Sequence, residues 1–219
     1  MKKFALLFAM IFLAVLVNAQ DAVNNPSEEL NTVFGKSENI KLGWYVSIDG
    51  GYTKFDTRDV WLGGLSAGMV VNHNFTIGGW GRSFVHSHGM YNPDLTETTG
   101  GYLDGAYGGV LIEYILMPKS VIHVSFPLLI GGGSVSYVND EDDNYCENNW
   151  ESYDDDEVLD KDDFFVIEPG VRAELNILKF MRLNAGISYR YTAGVDLINT
   201  SDTFMNNFNA TVGLRFGKF

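Results

Sequence analysis

The sequence predicts an all-β protein, an eight-stranded antiparallel transmembrane β-barrel. After residue 43 the chain alternates apolar and polar residues with a period of two, which is typical of β-strands. It contains 24 glycines and only 5 prolines, and no stretch after residue 20 keeps a helical period. The connections between the predicted strands are short on one side and longer on the other, which is typical of membrane barrels.

The N-terminus has the pattern of a secretory signal peptide, predicted at residues 1–19. Lys2 and Lys3 precede the apolar run FALLFAMIFLAVLV, and the small residue Ala19 stands before the predicted cut. These features are the three parts of such a signal. The alternative is a retained anchor helix, but the run is shorter than the ~20 residues that span a bilayer. Residues 20–42 are polar and lack a period, so we expect a short periplasmic extension there.

Turn signals divide residues 43–219 into eight predicted strands. They lie at about 43–56, 59–71, 75–86, 100–115, 120–136, 163–177, 181–195 and 203–217. The tight connections are at 72–74, 117–120 and 177–181, and the longer ones include 87–100 and 139–163. An even strand number with this alternation predicts short periplasmic turns and longer extracellular loops.

Alternation also predicts which face of each strand meets lipid. In the strand near 182–191 the apolar parity holds Leu183, Ala185, Ile187, Tyr189 and Tyr191. The opposite parity holds Arg182, Asn184, Gly186, Ser188 and Arg190, a composition that fits a narrow polar interior. The same rule holds in the strands near 165–177 and 207–216. The alternative is a secreted lipocalin-like barrel, in which the apolar parity would face inward.

Aromatic residues near both ends of the apolar faces predict two girdles around a membrane wall. The residues expected by the short turns are Trp44, Phe75, Tyr114 and Phe216, and those expected by the long loops are Phe165, Tyr191 and Phe204. Pro169 conflicts with this pattern, because proline removes a ladder donor from a central strand. We therefore expect a bulge or a local kink at Pro169.

Nine charged residues are predicted to point into the barrel and to form an ion-pair network. They are Asp49, Arg82, Glu113, Glu168, Arg172, Glu174, Arg182, Arg190 and Arg215. An eight-stranded barrel is only wide enough inside for its own side chains. Lone buried ions cost several kcal/mol each, so these charges are expected to pair. The alternative is a conducting polar path.

One segment carries most of the net charge. Residues 139–163 contain 13 of the 28 acidic residues and one lysine, which gives −12 of a formal net charge of −13. Without Lys2 and Lys3 the mature charge is −15, so −3 remains for all other residues. A nearly neutral body with an acidic appendage predicts no nucleic-acid partner. The lone Cys146 cannot form an internal disulfide.

The acidic segment contains a speculative cation site. Asp140, Asp142, Asn144 and Glu151 have the spacing of calcium ligands at positions one, three, five and twelve of an EF-hand loop. Position six, however, is Tyr145 rather than the glycine that the turn requires. The alternatives are loose bridging of divalent cations to negatively charged surface lipids, and a solvated loop extended by self-repulsion. Apart from Ca²⁺ or another divalent cation, no cofactor is predicted.

Histidines near the predicted loop at 87–100 raise two further hypotheses. His86 and His88, with Asp94 nearby, form an incomplete metal site. Ser83 or Ser87 beside a histidine offers a nucleophile and a base, which suggests a hydrolase or an acyltransferase. No spacing in the sequence brings a nucleophile, a base and an orienting acid together, so no catalytic residue is predicted.

The segment VIEPGVRAELNILKFMRLNAGISYRY, the VNAQ cleavage region and the ending ATVGLRFGKF resemble small outer-membrane β-barrel proteins of Gram-negative bacteria, which have a porin-like fold. The resemblance covers about 43–219. It implies location in the outer membrane, contact with its lipid and insertion by the barrel assembly machinery. Phe219 departs from the usual signal because it is out of step with Phe216. Either the last residues do not pair with the neighbouring strand, or the barrel assembly machinery recognises Phe216 instead of Phe219.

For function, the leading hypothesis is a non-enzymatic surface protein that contacts an unidentified extracellular ligand or ion through its loops. The alternatives are a narrow pore for small solutes and a lipid-modifying outer-membrane enzyme.

Overall fold

The computed structural model describes residues 40–56, 58–84, 101–139, 157–198 and 200–219. Residues Leu42–Phe219 form one compact unit. Its strands are β1 (Leu42–Phe55), β2 (Arg58–Val71), β3 (Phe75–Phe84), β4 (Gly101–Leu116), β5 (Ile122–Asn139), β6 (Glu157–Leu178), β7 (Met181–Ala193) and β8 (Asn207–Lys218). Within the described ranges, no helix is long and apolar enough to cross a membrane.

The eight strands form a closed antiparallel barrel. Each strand pairs with the next in the sequence, and β8 closes the barrel by pairing with β1, for example at Val46↔Phe216 and Tyr52↔Ala210. Closure gives each of the eight strands a neighbour on both sides, which is a requirement for a sheet in lipid. The predicted all-β class and the eight-stranded antiparallel barrel are confirmed.

Short turns gather at one end of the barrel, which we call the periplasmic end. Between β2 and β3, Asn72 and His73 both have positive φ values, 52° and 65°. The amide of Asn74 donates to the carbonyl of Val71 at 3.2 Å. Positive φ at both central residues is typical of the tight hairpin turns that match the twist of antiparallel strands. The connections at 117–121 and 179–180 lie at the same end.

Strand β6 begins earlier than the sequence predicts. Residues 157–163 were expected in the acidic loop at 139–163, yet they form the first part of β6 and pair with β5, for example at Tyr137↔Asp160. The register shifts between Tyr137 and Val138, which breaks the alternation there. That shift and the density of acidic residues hid the strand in the sequence. Residues 140–156 lie outside the described ranges.

Of the bulge or local kink expected at Pro169, the bulge is wrong: the register does not shift there, although the pairing of β6 with β7 is interrupted between Ile167 and Gly170. Pairing between β6 and β7 resumes at Gly170↔Ser188 in the register that it had at Ile167↔Tyr191. On the other side Pro169 remains opposite Leu128 of β5, also without a shift. Because the flanking pairs hold the strands on both sides, the ladder tolerates one missing donor without a register change.

The outer wall of the barrel is apolar, as the alternation predicts. Ile48, Leu65, Val110, Ile187 and Val212 are each about half exposed or more, although they are large hydrophobic residues. A soluble barrel would bury this parity, whereas a lipid-facing wall exposes it. The lipocalin-like alternative is therefore contradicted, and the barrel has the exposed apolar wall of a membrane barrel.

Aromatic residues stand on this wall near both ends. Trp44, Tyr114 and Phe216 are exposed at the periplasmic end, and Phe165 and Tyr191 are exposed toward the other. Phe75 is half-buried.

The placement of Phe204 on the outer wall is wrong. It belongs to the connection between β7 and β8, is only 6% exposed, and packs edge-on against Phe55 with ring centroids 5.7 Å apart. That connection turns inward instead of continuing the strand, so parity did not apply to Phe204.

The interior has two layers. Toward the extracellular end it is an apolar core that includes Phe55, Phe84, Tyr107 and Phe164. Toward the periplasmic end it is polar and charged, with Glu113, Glu174, Arg172, Arg182 and Arg215 all buried. The apolar layer was not predicted, because the inward parity of the C-terminal strands is polar, whereas most residues of this core belong to β1 to β5.

Candidate functional site

The charged residues of the periplasmic layer form a group that we call the ion-pair cluster: Glu113, Arg172, Glu174, Arg182 and Arg215. Arg215 lies at its centre and donates from Nη1 to Glu113 Oε2 and to Glu174 Oε1, each at 2.9 Å. Arg172 donates to Glu113 Oε1 at 3.2 Å, and Arg182 donates to Glu174 Oε2 at 3.3 Å. Three arginines thus surround two carboxylates, and each carboxylate binds two of them.

Strand pairing explains why these residues meet. β7 and β8 place Arg182 directly opposite Arg215, and β3 and β4 place Glu113 opposite Thr76. Inward positions on facing strands converge because a barrel of eight strands is narrow. Buried ion pairs require partners on every side, since an unpaired member costs several kcal/mol.

A second group of charges lies toward the middle of the interior. Arg82 binds Glu168, and its Nε lies 3.5 Å from Asp49 Oδ2. The hydroxyl of Ser188 donates to Glu168 Oε1 at 2.5 Å. Arg82 therefore links β1 and β6 through carboxylates across the interior.

Arg190 differs from the other interior arginines, because its recorded hydrogen bonds go to neutral acceptors. Its Nε donates to the carbonyl of Met205 at 2.9 Å, and its Nη1 donates to the hydroxyl of Tyr107 at 3.0 Å. The guanidinium carbon also lies 4.6 Å from the ring centroid of Phe55. Arg190 thus joins the apolar core to the connection between β7 and β8.

The described residues of that connection, 194–198 and 200–206, lie at the extracellular end of the interior, and we call them the plug segment. Val195, Leu197, Phe204 and Met205 are all buried in the apolar core. The amide of Asp56 donates to the carbonyl of Phe204 at 2.7 Å, which fixes the segment to the end of β1.

Two acidic residues of β6 also hold the plug segment. Asp162 Oδ2 accepts from the amide of Asp196 at 2.5 Å, and Asp160 Oδ2 accepts from the amide of Ile198 at 2.8 Å. These carboxylates satisfy backbone donors that would otherwise need water. Part of the acidic stretch therefore has a structural role at the mouth of the barrel.

The nine predicted interior residues lie where the alternation places them. Asp49, Arg82 and Glu168 come together, as do Glu113, Arg172, Glu174, Arg182 and Arg215, while Arg190 stands apart beneath the plug segment.

His123 and Ser125 also belong to the charged interior, although they were not among the predicted interior residues. His123 Nε2 lies 3.0 Å from Glu174 Oε2, and Ser125 donates to Glu113 Oε1 at 2.8 Å. In the segment IHVSF these two polar residues alternate with apolar ones, and this pattern predicts that both point into the barrel.

The predicted cation ligands Asp140, Asp142, Asn144 and Glu151 lie outside the described residues, as do His86, Ser87, His88 and Asp94. Ser83 is described, and it is exposed on the outer wall opposite Ala106. It therefore points away from the interior polar groups. Over the described ranges, no group of three or more His, Cys, Asp or Glu residues is arranged to hold a metal ion.

In the described part of the barrel, Arg82 lines three cavities. Two of them have a volume of about 10 Å³ each and are also lined by Arg172 and Leu129. Such a volume holds about one water molecule. The third is open, has a volume of about 950 Å³, and is also lined by Tyr107 and Phe164. The two small cavities among the paired charges therefore leave no room for a substrate.

No protein-family model and no curated protein matches the sequence. Among solved structures, the chain is similar to Neisserial surface protein A (NspA), with 12% identity, 83% of this chain and 100% of that chain covered, and a TM-score of 0.52. Ail, the attachment invasion locus protein of Yersinia pestis, in complex with the heparin analogue sucrose octasulfate, has 10% identity, 80% and 97% coverage, and a TM-score of 0.46. The closed barrel thus has the fold of small eight-stranded outer-membrane proteins, and its exposed apolar wall suits a lipid bilayer.

Proposed function

We propose that this protein is a non-enzymatic, non-conducting surface protein, and that its acidic extracellular segment binds divalent cations. The barrel would act as a rigid anchor that holds the segment outside the bilayer. The filled interior is the observation that supports a non-enzymatic, non-conducting protein. The plug segment packs in the apolar core beside Phe55, and Arg215 and Arg82 cross the interior in ion pairs.

Packing argues against the narrow-pore alternative. A conducting path needs a continuous wet route, whereas Phe55, Phe84, Tyr107 and Phe164 are buried together in one apolar layer. The rings of Phe55 and Phe84 meet edge-on with centroids 5.0 Å apart. An ion would have to cross this layer without ligands, and that is costly.

Charge at the extracellular end supports the cation-binding part. The described residues at this end include Asp56, Asp59, Asp104, Asp163 and Asp202. The acidic residues of 140–156 lie outside the described ranges and follow β5 in the sequence. Clustered carboxylates are the ligands that Ca²⁺ and Mg²⁺ prefer. The spacing of Asp140, Asp142, Asn144 and Glu151 makes these four the proposed ligands.

Conductance across planar bilayers tests the anchor. We expect no discrete channel events from the folded protein, and reproducible unitary steps would contradict a closed interior. A variant in which residues 195–205 are replaced by a glycine–serine linker is the companion measurement. It removes the buried Val195, Leu197, Phe204 and Met205, and it should show whether the ion-pair cluster alone keeps the barrel closed.

Calorimetric titration of Ca²⁺ into the detergent-folded protein tests the cation site. The triple variant Asp140→Asn, Asp142→Asn, Glu151→Gln removes three charges from the proposed ligands. The matched variant Asp154→Asn, Asp155→Asn, Asp156→Asn removes three charges elsewhere in the segment. Loss of binding in the first alone supports the ligand set, and equal loss in both leaves only loose attraction of cations.

A further inference from the structure

The periplasmic end of the barrel contains an open cavity of about 770 Å³. Its lining includes His73, Lys119, Lys179, Arg182, Ile177 and Leu178. Lys119 comes from the connection after β4, Lys179 from the connection after β6, and Arg182 from the start of β7. The cavity thus joins cationic side chains from separate turns to an apolar edge on the outer wall.

The charged side chains in the strand ends and turns at this end are all basic. The strand ends and turns of the barrel unit here, residues 42–43, 70–76, 116–122, 176–181 and 217–219, contain His73, Lys119, Lys179 and Lys218 and no acidic side chain. The opposite end carries many aspartates, so the two ends of the barrel differ in sign. A cationic mouth attracts anions from the neighbouring leaflet.

Arg182 places a charge deep in the cavity wall. Its side chain is only 4% exposed, and its Nη1 lies 3.3 Å from Glu174 Oε2. Its Nε is buried and has no hydrogen-bond partner among the described residues. The ring of Phe219 covers the guanidinium, with the centroid 3.6 Å from its carbon atom.

An apolar surface adjoins the lysines. Ile177, Leu178 and Phe180 are each about half exposed around the β6–β7 turn, and Val121 and Ile122 are exposed beside the β4–β5 turn. Lysine side chains near such a surface keep their stems on hydrocarbon and their ammonium groups in the headgroup region. The cationic groups and the exposed apolar wall follow one another in the same order as the phosphate and the acyl chains of a phospholipid. The lysines can therefore contact the phosphate while the wall contacts the acyl chains.

We propose that this mouth binds a phospholipid of the periplasmic leaflet through its phosphate, and that it prefers a headgroup with net negative charge, such as phosphatidylglycerol. Lys119 and Lys179 contact the phosphate, and the acyl chains lie along Ile177 and Leu178. A zwitterionic headgroup brings its own cation to a mouth that already holds lysines, so it binds more weakly.

Native mass spectrometry of the full chain in detergent, titrated with phosphatidylglycerol or phosphatidylcholine, tests this proposal. We expect retained phosphatidylglycerol at concentrations where phosphatidylcholine is lost. The variant Lys119→Gln/Lys179→Gln should weaken phosphatidylglycerol binding about tenfold or more. The matched variant Lys54→Gln/Lys161→Gln removes the same charge from the extracellular end and should leave the affinity unchanged.

Equal retention of the two lipids, or equal affinity in the two double variants, would overturn the proposal. A competition with glycerophosphoglycerol, the same headgroup without acyl chains, separates the lipid from a soluble phosphate. If glycerophosphoglycerol competes only weakly, the bound molecule is the lipid. If it competes as strongly as the intact lipid, the assignment of a phospholipid to this mouth is overturned. Both double variants alter only exposed lysines, so each should fold.

Discussion

Arg215 and Glu113 are 102 positions apart in the chain, and they form a 2.9 Å ion pair in which neither side chain is exposed. The same Nη1 of Arg215 also reaches Glu174 Oε1 at 2.9 Å. One cation thus binds two carboxylates inside the barrel, and the ring of Tyr45 lies 4.2 Å from its guanidinium carbon. Removal of this cation would leave the carboxylates with fewer donors in a space closed to water.

Arg215→Met should therefore destabilise the folded barrel by about 3–5 kcal/mol, because it breaks buried pairs and leaves the charge of Glu113 less compensated. Urea unfolding in phospholipid vesicles, followed by tryptophan fluorescence, measures the change. Lys54→Met is the control, since Lys54 and Asp59 form a pair that is exposed to solvent. The double variant Glu113→Gln/Arg215→Met should recover part of the loss, and an unchanged midpoint for Arg215→Met would contradict the pairing.

The plug segment depends on acceptors from β6. Asp162→Ala removes the acceptor of the Asp196 amide and should loosen residues 194–206, so that chymotrypsin cleaves after Phe204, which is buried in the intact protein. Gel analysis of timed digests provides the measurement. Asp163→Ala changes the neighbouring exposed carboxylate and should leave the digestion rate as it is. Equal rates in both variants would show that the apolar contacts of the segment hold it without Asp162.

Alternation predicted the wall and the charged interior because side chains on a strand must point to opposite faces, whatever the rest of the fold does. The outward direction of Ile187 and the inward direction of Arg190 thus follow from the alternation within β7 alone. Phe204 and the early start of β6 were not predictable in this way. Phe204 follows a connection that folds back into the barrel, and the position of Asp160 depends on a register shift between two strands. Both are set by contacts between distant residues, which local pattern does not contain.

Close approach of β4 and β5 requires glycine at residue 131. A Cβ added to Gly131 would lie 1.9 Å from the carbonyl oxygen of Gly108 and 2.9 Å from the Cα of Gly109. Gly131→Ala should therefore force the strands apart and cost about 1–3 kcal/mol. Gly81→Ala is the matched substitution, because a Cβ there meets nothing within 4 Å and the change should be neutral or slightly stabilising. The difference in urea midpoint between the two variants checks the prediction.

The lipid-facing wall is tested most directly at Ile187, in the middle of β7. Its side chain is 62% exposed, so a charged substitution would be tolerated if water bathed the wall. In a bilayer, Ile187→Arg should cost about 2–4 kcal/mol near the midplane. Ile198→Arg is the control, because Ile198 is 50% exposed but lies in the plug segment at the extracellular end. Folding into vesicles, read from the heat-modifiable shift in gel migration, should fall for Ile187→Arg and remain for Ile198→Arg. If both variants fold equally well, hydrocarbon does not surround β7.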